Sequence, residues 1–245
     1  AFHPHETHFC LPPDDLVTVP DGVDAAAATL LPTAETAVTV GLDAAPAVDE
    51  TAVVFGQGLV GVATTALLAA YPLADLVAVD PRPERRALAR DHGATKAMAP
   101  DAVDDRFDPS SPGEEGVATD GADLAVELSG DPAALDDAVA ATGYDGRVLV
   151  GSWYGSKSVD LNLGGRFHRS RIAVESTQVS TIDPARRGRW TRERRLDAAW
   201  THLDRLDVDS LLARRVPLAD APAAYRRLDA PDGPVATLFD HREET

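Results

Sequence analysis

A chain of 245 residues, 44% of them hydrophobic, can bury a substantial core and fits one large domain or a complete domain with part of another. Its 40 acidic side chains outweigh 23 basic ones, and the net charge of −17, dispersed along the chain, argues against nucleic acid as a partner. No uncharged apolar run reaches the ~18 residues of a membrane span, no basic stretch precedes an apolar one at the amino end, and the single Cys10 excludes an intrachain disulfide or a cysteine-rich zinc site built from this chain alone.

The opening, AFHPHETHFCLPPDDLVTVPDGV, sets prolines at 4, 12, 13 and 20 among short alternating runs and is expected to form extended edge strands and turns. Within it His3, His5, His8 and Cys10 read HxHxxHxC. A strand would put His3 and His5 on one face and His8 and Cys10 on the other, which splits any ligand set. Exposed or core-edge histidines, and a small buried Cys10, are expected instead. Residues 24–31 read as a short helix with an Asp start, and after a break at Pro32 a second helix begins in residues 32–40. A Pro/Asp-rich linker, residues 43–50, leads into the most informative stretch of the chain.

That stretch, TAVVFGQGLVGVATTALLAAYPLADLVAVD, runs from Thr51 to Asp80. Its order is apolar strand, GQGLVG turn, small-residue helix, second apolar strand, acid. Glycines also serve ordinary turns, but here each part has a dinucleotide-binding reason. Gly56 permits the tight turn, Gly58 lets backbone approach a pyrophosphate, and Gly61 lets the helix pack on the strand. The helix N-terminus offers free N–H groups and a positive dipole end to phosphate. Asp80, nineteen residues after Gly61, stands where a carboxylate accepts the ribose hydroxyls of NAD.

Beyond it, PERRALARD predicts an amphipathic helix stopped at His92-Gly93, then a third short strand over residues 95–98. Residues 101–121 read as a polar loop with at most one poor helix. Residues 123–128 form a fourth strand ending at Ser129-Gly130, Asp131 caps the helix PAALDDAVAA, and residues 146–150 form a fifth strand ending at Gly151-Ser152. Such junctions imply parallel strands whose carboxyl ends line one crevice. A sixth strand is expected over residues 172–179, an amphipathic helix over 194–206, and a strand, a helix capped near Asp220 and a final strand at the end. The arginines at 186, 187, 189, 192, 194 and 195 are expected to neutralise neighbouring aspartates. Trp153, Tyr154 and Trp190 are large aromatics suited to a pocket wall or to a core.

Several segments together resemble the medium-chain dehydrogenase/reductase family, the zinc-type alcohol dehydrogenases. LVTVPDGVDAAAATLLPTAETA is similar to that family's entry into its cofactor domain. VVFGQGLVGVATTALLA, LVAVDPRPERRALARDHGAT, ADLAVELSG and GRVLVGSW resemble its successive cofactor motifs, and VPLADAPAAYRRLD its closing segment. The resemblance implies an α/β fold: a Rossmann-type doubly wound parallel sheet over residues 36–208, with remnants of a β-rich GroES-like catalytic domain at residues 1–35 and 209–245. It implies a nicotinamide dinucleotide held by Gly56, Gly58, Leu59, Val60 and Gly61, with Asp80 on the adenosine ribose and Arg85 near it. Ser129 and the Gly151-Ser152 turn would approach the nicotinamide half. The Asp80 carboxylate repels a 2′-phosphate, which favours NAD over NADP, although Arg82 and Arg85 are suited to the latter.

The departures from the family are equally informative. Members begin with a segment holding a cysteine and a His-Glu pair that ligate zinc, and this sequence has no counterpart. The third family ligand falls on Pro32, which has no ligating side chain, with Glu35 close by. The basic residue of the family's last strand falls near Ala236. Zinc is thus expected for the family without its ligands in this chain, and catalytic residues are not assignable. The implied activity is hydride transfer between a nicotinamide cofactor and an alcohol, polyol or sugar hydroxyl. A nucleotide-binding module or degenerate relative without activity, and a zinc-free reductase of the quinone-reductase type, are the alternatives. A small-molecule substrate, a cytoplasmic protein and a homodimer paired through the sixth strand are expected. The acids comprise 29 Asp and 11 Glu, and Lys96 and Lys157 are the two lysines, a balance that resembles proteins of salt-loving organisms and predicts a fold that loosens at low salt.

Overall fold

The computed structural model describes residues 6, 8–107 and 121–241. It divides into two compact units, a central one of Leu31–Leu206 and a second made of Ala1–Leu30 and Asp207–Thr245. In the second unit a 3-10 turn, Pro13–Asp15, is followed by α1 (Ala25–Ala28). The expected edge strands are absent among the described residues before α1: Pro12 and Pro13 begin the 3-10 turn instead. Asp24 does start α1, its carboxylate accepting from the Ala26 and Ala27 N–H groups.

The central unit runs α2 (Leu31–Ala44), β1 (Thr51–Phe55), α3 (Leu59–Leu68), β2 (Asp75–Val79), α4 (Pro83–Asp91), β3 (Lys96–Met98), α5 (Val103–Arg106), β4 (Ala122–Glu127), α6 (Pro132–Ala141), β5 (Thr142–Val150), α7 (Arg166–Arg169), β6 (Ala173–Ser176) and α8 (Arg192–Leu203). Pro32 does not interrupt α2 but occupies its second position, where a missing N–H costs nothing. The strands form one sheet in the order β3-β2-β1-β4-β5-β6, all pairs parallel. The strand runs are almost continuously apolar because both faces of this sheet are covered. Val53, Phe55, Val77, Val79 and Val148 pack with Leu135 and Val139 of α6, while Ala52, Val54, Leu76, Leu124 and Leu149 pack with Val40 of α2 and Leu68 of α3. Alternate residues of a strand thus serve opposite layers.

Two strands depart from expectation. β5 starts at Thr142, before the expected residue 146, because the register slips between Ala122↔Thr142 and Leu124↔Arg147. Within the slipped segment Asp145 takes a positive φ of 57°. β6 is shorter than residues 172–179, and it ends the sheet with all four residues exposed.

The remainder of the second unit is α9 (Val208–Leu211), β7 (Arg215–Pro217), α10 (Ala221–Leu228) and β8 (Leu238–Asp240), with β7 and β8 parallel. The Tyr225 and Phe239 rings meet at 5.8 Å between centroids. Asp220 stands at the start of α10 but its side chain makes no capping bond, in contrast to Asp131, which accepts from Ala133 N–H.

Candidate functional site

The glycine turn lies at the carboxyl end of β1. Gly56 has a φ of +86°, and a Cβ there would fall 2.5 Å from the Ser129 Cα, so the β1 turn presses against the backbone of the β4 turn. A Cβ on Gly61 would fall 1.9 Å from the Gly56 carbonyl oxygen, which is why α3 can start this close to the strand. Gly58 precedes α3 without side-chain capping, leaving the helix N–H groups facing outward beside the half-buried Leu59 and Val60. Gln57, fully buried, fixes the turn from behind: its amide donates to Val54 O at 3.0 Å and its carbonyl accepts from Thr65 Oγ1 of α3 at 3.0 Å.

Asp80 follows β2 and is 4% exposed. One carboxylate oxygen accepts from Gln57 N–H at 2.8 Å and the other from Arg82 N–H at 2.9 Å. The glycine turn and the acid are therefore one hydrogen-bonded unit, with a lone pair left on each oxygen for a further donor. Arg85, on α4, is half-buried, and its Nη1 lies 3.8 Å from the point where a Gly58 Cβ would stand. Its Nε is buried and has no hydrogen-bond partner among the described residues. Arg86 instead donates to the Asp80 and Pro81 carbonyls, 2.9 Å each.

At the carboxyl ends of β4 and β5 a second cluster forms around Glu127, which is fully buried. Its Oε1 accepts from Ser129 N–H at 2.7 Å and from the Ser129 hydroxyl, and its Oε2 accepts from the Tyr154 hydroxyl. Gly130 N–H donates to Ser152 Oγ at 2.8 Å, and Lys157 Nζ donates to Gly130 O at 2.9 Å. Burial, and then the Glu127 carboxylate, push the Tyr154 phenol well above its ordinary pKa, which keeps it a protonated donor. Sequence reasoning placed Ser129, Gly151 and Ser152 at these turns but missed Gln57, Glu127 and Lys157, and read Tyr154 only as a pocket wall or core filling. The available signal was Glu127 itself, a charged residue closing a buried apolar strand.

Gly151, Ser152 and Trp153 also line a cavity of about 280 Å³ with Thr36, Thr39 and Gln178. Trp153 is 92% exposed, whereas Tyr154 packs on the core, so the two aromatics have opposite surroundings. A larger hollow of about 520 Å³ at the β6 edge, with Asp43, Glu175 and Arg186 among its walls, shares no residue with the glycine turn.

Several sequence expectations are corrected. Cys10 is exposed and not a buried apolar residue, whereas His8 is exposed as expected, and His3 and His5 lie outside the described residues. Among the described residues the arginine cluster forms no ion pair with an aspartate; the ion pair it makes there is Arg195 to Glu35, with Nη2 to Oε1 at 2.6 Å and a side chain 5% exposed on the arginine. Arg187 and Arg194 donate to backbone carbonyls, and Arg194 lies over the Trp190 ring at 4.3 Å. Arg195 thus ties α8 to α2, and its buried guanidinium, costly to leave unpaired, has the Glu35 carboxylate as partner.

The family described as zinc-binding dehydrogenase matches residues 60–192, more than half of the chain. The chain belongs to the zinc-binding dehydrogenase family. D-guloside 3-dehydrogenase of Escherichia coli (strain K12) is 26% identical over 189 residues, which cover 75% of this chain and 52% of that relative. The structure of a short chain alcohol dehydrogenase of Escherichia coli CFT073, complexed with NADH, superposes with a TM-score of 0.74 at 16% identity, covering 94% of this chain and 63% of the other. A Sinorhizobium meliloti 1021 structure bound to NADP gives a TM-score of 0.69 at 20% identity, covering 91% and 61%. The chain spans about half the length of the curated relatives it matches.

The residues on the sheet's carboxyl edge fit a dinucleotide: a turn that no side chain fills, a helix start without a side-chain cap, a strand-end carboxylate with spare lone pairs, and a buried guanidinium nitrogen without a partner among the described residues. They do not by themselves fit the zinc of the family. Among the described residues no three His, Cys, Asp or Glu side chains converge to hold a metal ion, and Glu35 is engaged by Arg195.

Proposed function

We propose that this chain is the cofactor-binding part of a nicotinamide-dependent dehydrogenase acting on an alcohol, polyol or sugar hydroxyl, with NAD preferred to NADP. The observation that carries the reading is the hydrogen-bonded unit of Asp80 with the glycine turn, placed between β1 and β2 beside the β1/β4 crossing point of the sheet. In sheets of this topology the dinucleotide lies across the carboxyl ends, adenosine toward β2 and nicotinamide toward β4 and β5. Gly56, Gly58, Leu59, Val60 and Gly61 would receive the pyrophosphate, Asp80 the ribose hydroxyls, Arg85 the same ribose region, and Ser129, Gly151 and Ser152 the nicotinamide half. The cofactor supplies hydride transfer; the protein binds it, orients it and excludes water. Likeness to D-guloside 3-dehydrogenase supports a polyhydroxy substrate. Residues 36–208 are read as the cofactor domain and residues 1–35 with 209–245 as remnants of a GroES-like catalytic domain.

Titration of the purified chain with NADH and NADPH in molar salt, followed by nicotinamide fluorescence, tests this. Saturable NADH binding with NADPH at least about tenfold weaker, a difference of ~1.4 kcal/mol, is expected. Binding of neither would overturn the assignment. The same reading includes a cytoplasmic homodimer joined through the exposed edge of β6, whose acidic surface suits high salt. Sedimentation is expected to give a dimer in molar salt, and circular dichroism a less cooperative melt in dilute buffer. A lone monomer in molar salt, or identical melts, would count against these two points respectively.

A further inference from the structure

We infer that Tyr154 is a positioning residue for the nicotinamide half of the cleft, acting through Glu127 and the turns after β4 and β5; this rests on the dinucleotide-binding reading above. A fully buried carboxylate at the mouth of a sheet is costly unless donors surround it. Glu127 has three, and all come from the two turns: Ser129 N–H, the Ser129 hydroxyl and the Tyr154 hydroxyl. Ser129 Oγ in turn accepts from Asp131 N–H at 3.0 Å, at the start of α6. The two turns are joined again by Gly130 N–H on Ser152 Oγ and by Lys157 on Gly130 O.

The orientation of the turn after β5 is thereby fixed from below. Tyr154 is anchored at both ends, its ring against the core that includes Val148 and Ile172 and its hydroxyl on Glu127. Two residues before it, Ser152 has its oxygen turned toward Gly130, and Gly151 and Ser152 form one wall of the 280 Å³ cavity. Tyr154 itself is not a wall of that cavity. It determines where the wall stands, as a group that holds a binding surface within a fraction of an ångström from behind. Gly56 meets the cluster only at the Ser129 backbone, and neither the glycine turn nor Asp80 shares in the hydrogen bonds around Glu127, so the tyrosine's influence falls chiefly on the nicotinamide half of the cleft.

Tyr154→Phe keeps the ring in the core and deletes only the hydroxyl. Binding of NADH and of ADP-ribose, which lacks the nicotinamide, is measured on the same preparations of wild-type and variant chain. The expected result is a loss of NADH affinity of about tenfold with ADP-ribose affinity changed less than about twofold. Adding Glu127→Gln should restore part of the NADH affinity, since the amide replaces a carboxylate that has lost a donor with a neutral group. Equal losses for both ligands would mean a general structural role, and no change would mean none; either result overturns the assignment. A wild-type chain that binds ADP-ribose but not NADH also overturns it while leaving the Asp80 reading intact. A wild-type chain that binds neither removes the dinucleotide reading and this inference with it.

Discussion

The two halves of the sheet's carboxyl edge solve the same problem differently. On the β1–β2 side the polar groups are satisfied by backbone a few residues away or by the adjoining strand end: Asp80 holds the N–H groups of Gln57 and Arg82. On the β4–β5 side a buried carboxylate is satisfied largely by side chains delivered by two turns. The first arrangement is written into a motif in which Gly56 and Gly61 have no room for a Cβ; the second depends on packing that brings Tyr154 to Glu127. A backbone-built half should fail abruptly when altered, and a side-chain-built half should degrade by degrees.

The largest effect is therefore expected at Gly61. Its missing Cβ would lie 1.9 Å from a backbone carbonyl that cannot rotate away. Gly61→Ala should displace α3 or the turn, weaken NADH about a hundredfold, which is ~2.8 kcal/mol, and cost about 1–3 kcal/mol of stability through overpacking. Isothermal titration and denaturant unfolding read the two losses, and a variant with wild-type affinity would show that the turn tolerates a side chain. Tyr154→Phe, with its selective and smaller loss, is the matching change on the other half. A loss as large as that of Gly61→Ala would mean that the two halves of the cleft do not differ in this way.

The smallest effect concerns what stands behind the glycine half. His202 of α8 is 2% exposed and its Nε2 lies 2.9 Å from Ala63 O in α3, while its Nδ1 has no hydrogen-bond partner among the described residues. Burial lowers its pKa, with the Ala63 carbonyl acting in the opposite direction and Arg205 adding to the lowering. The unfolded imidazole takes up its proton near pH 6.5 and the folded one only at lower pH, so the unfolded chain binds more protons in between. The stability this provides is complete above about pH 6.5 and is lost as pH falls from there through the folded value. Between pH 7 and 5 the melting temperature of the wild type should fall more steeply than that of His202→Gln. Parallel slopes would place the acid sensitivity elsewhere and remove His202 as a pH-dependent support of α3.

Much of this was legible in the sequence. Residues 52–55 and 76–79 are apolar without alternation because a sheet covered on both faces demands it, and the glycine spacing, Asp80 and the caps Asp24 and Asp131 act within a few residues of themselves. Local chemistry of this kind is fixed by chain geometry and can be read in one dimension. The opening of the chain misled for the same reason: prolines at 12 and 13 suit a 3-10 turn as well as an edge strand, and no local signal separates them. What the sequence by itself determined is thus the parallel α/β sheet, its glycine turn and its acidic partner. Tertiary structure alone decided the pairings across long separations: Tyr154 with Glu127 over 27 residues, His202 with Ala63 over 139, and Arg195 with Glu35 over 160. A buried polar group must find a partner wherever the fold supplies one, and which residue that is depends on how the strands and helices are stacked.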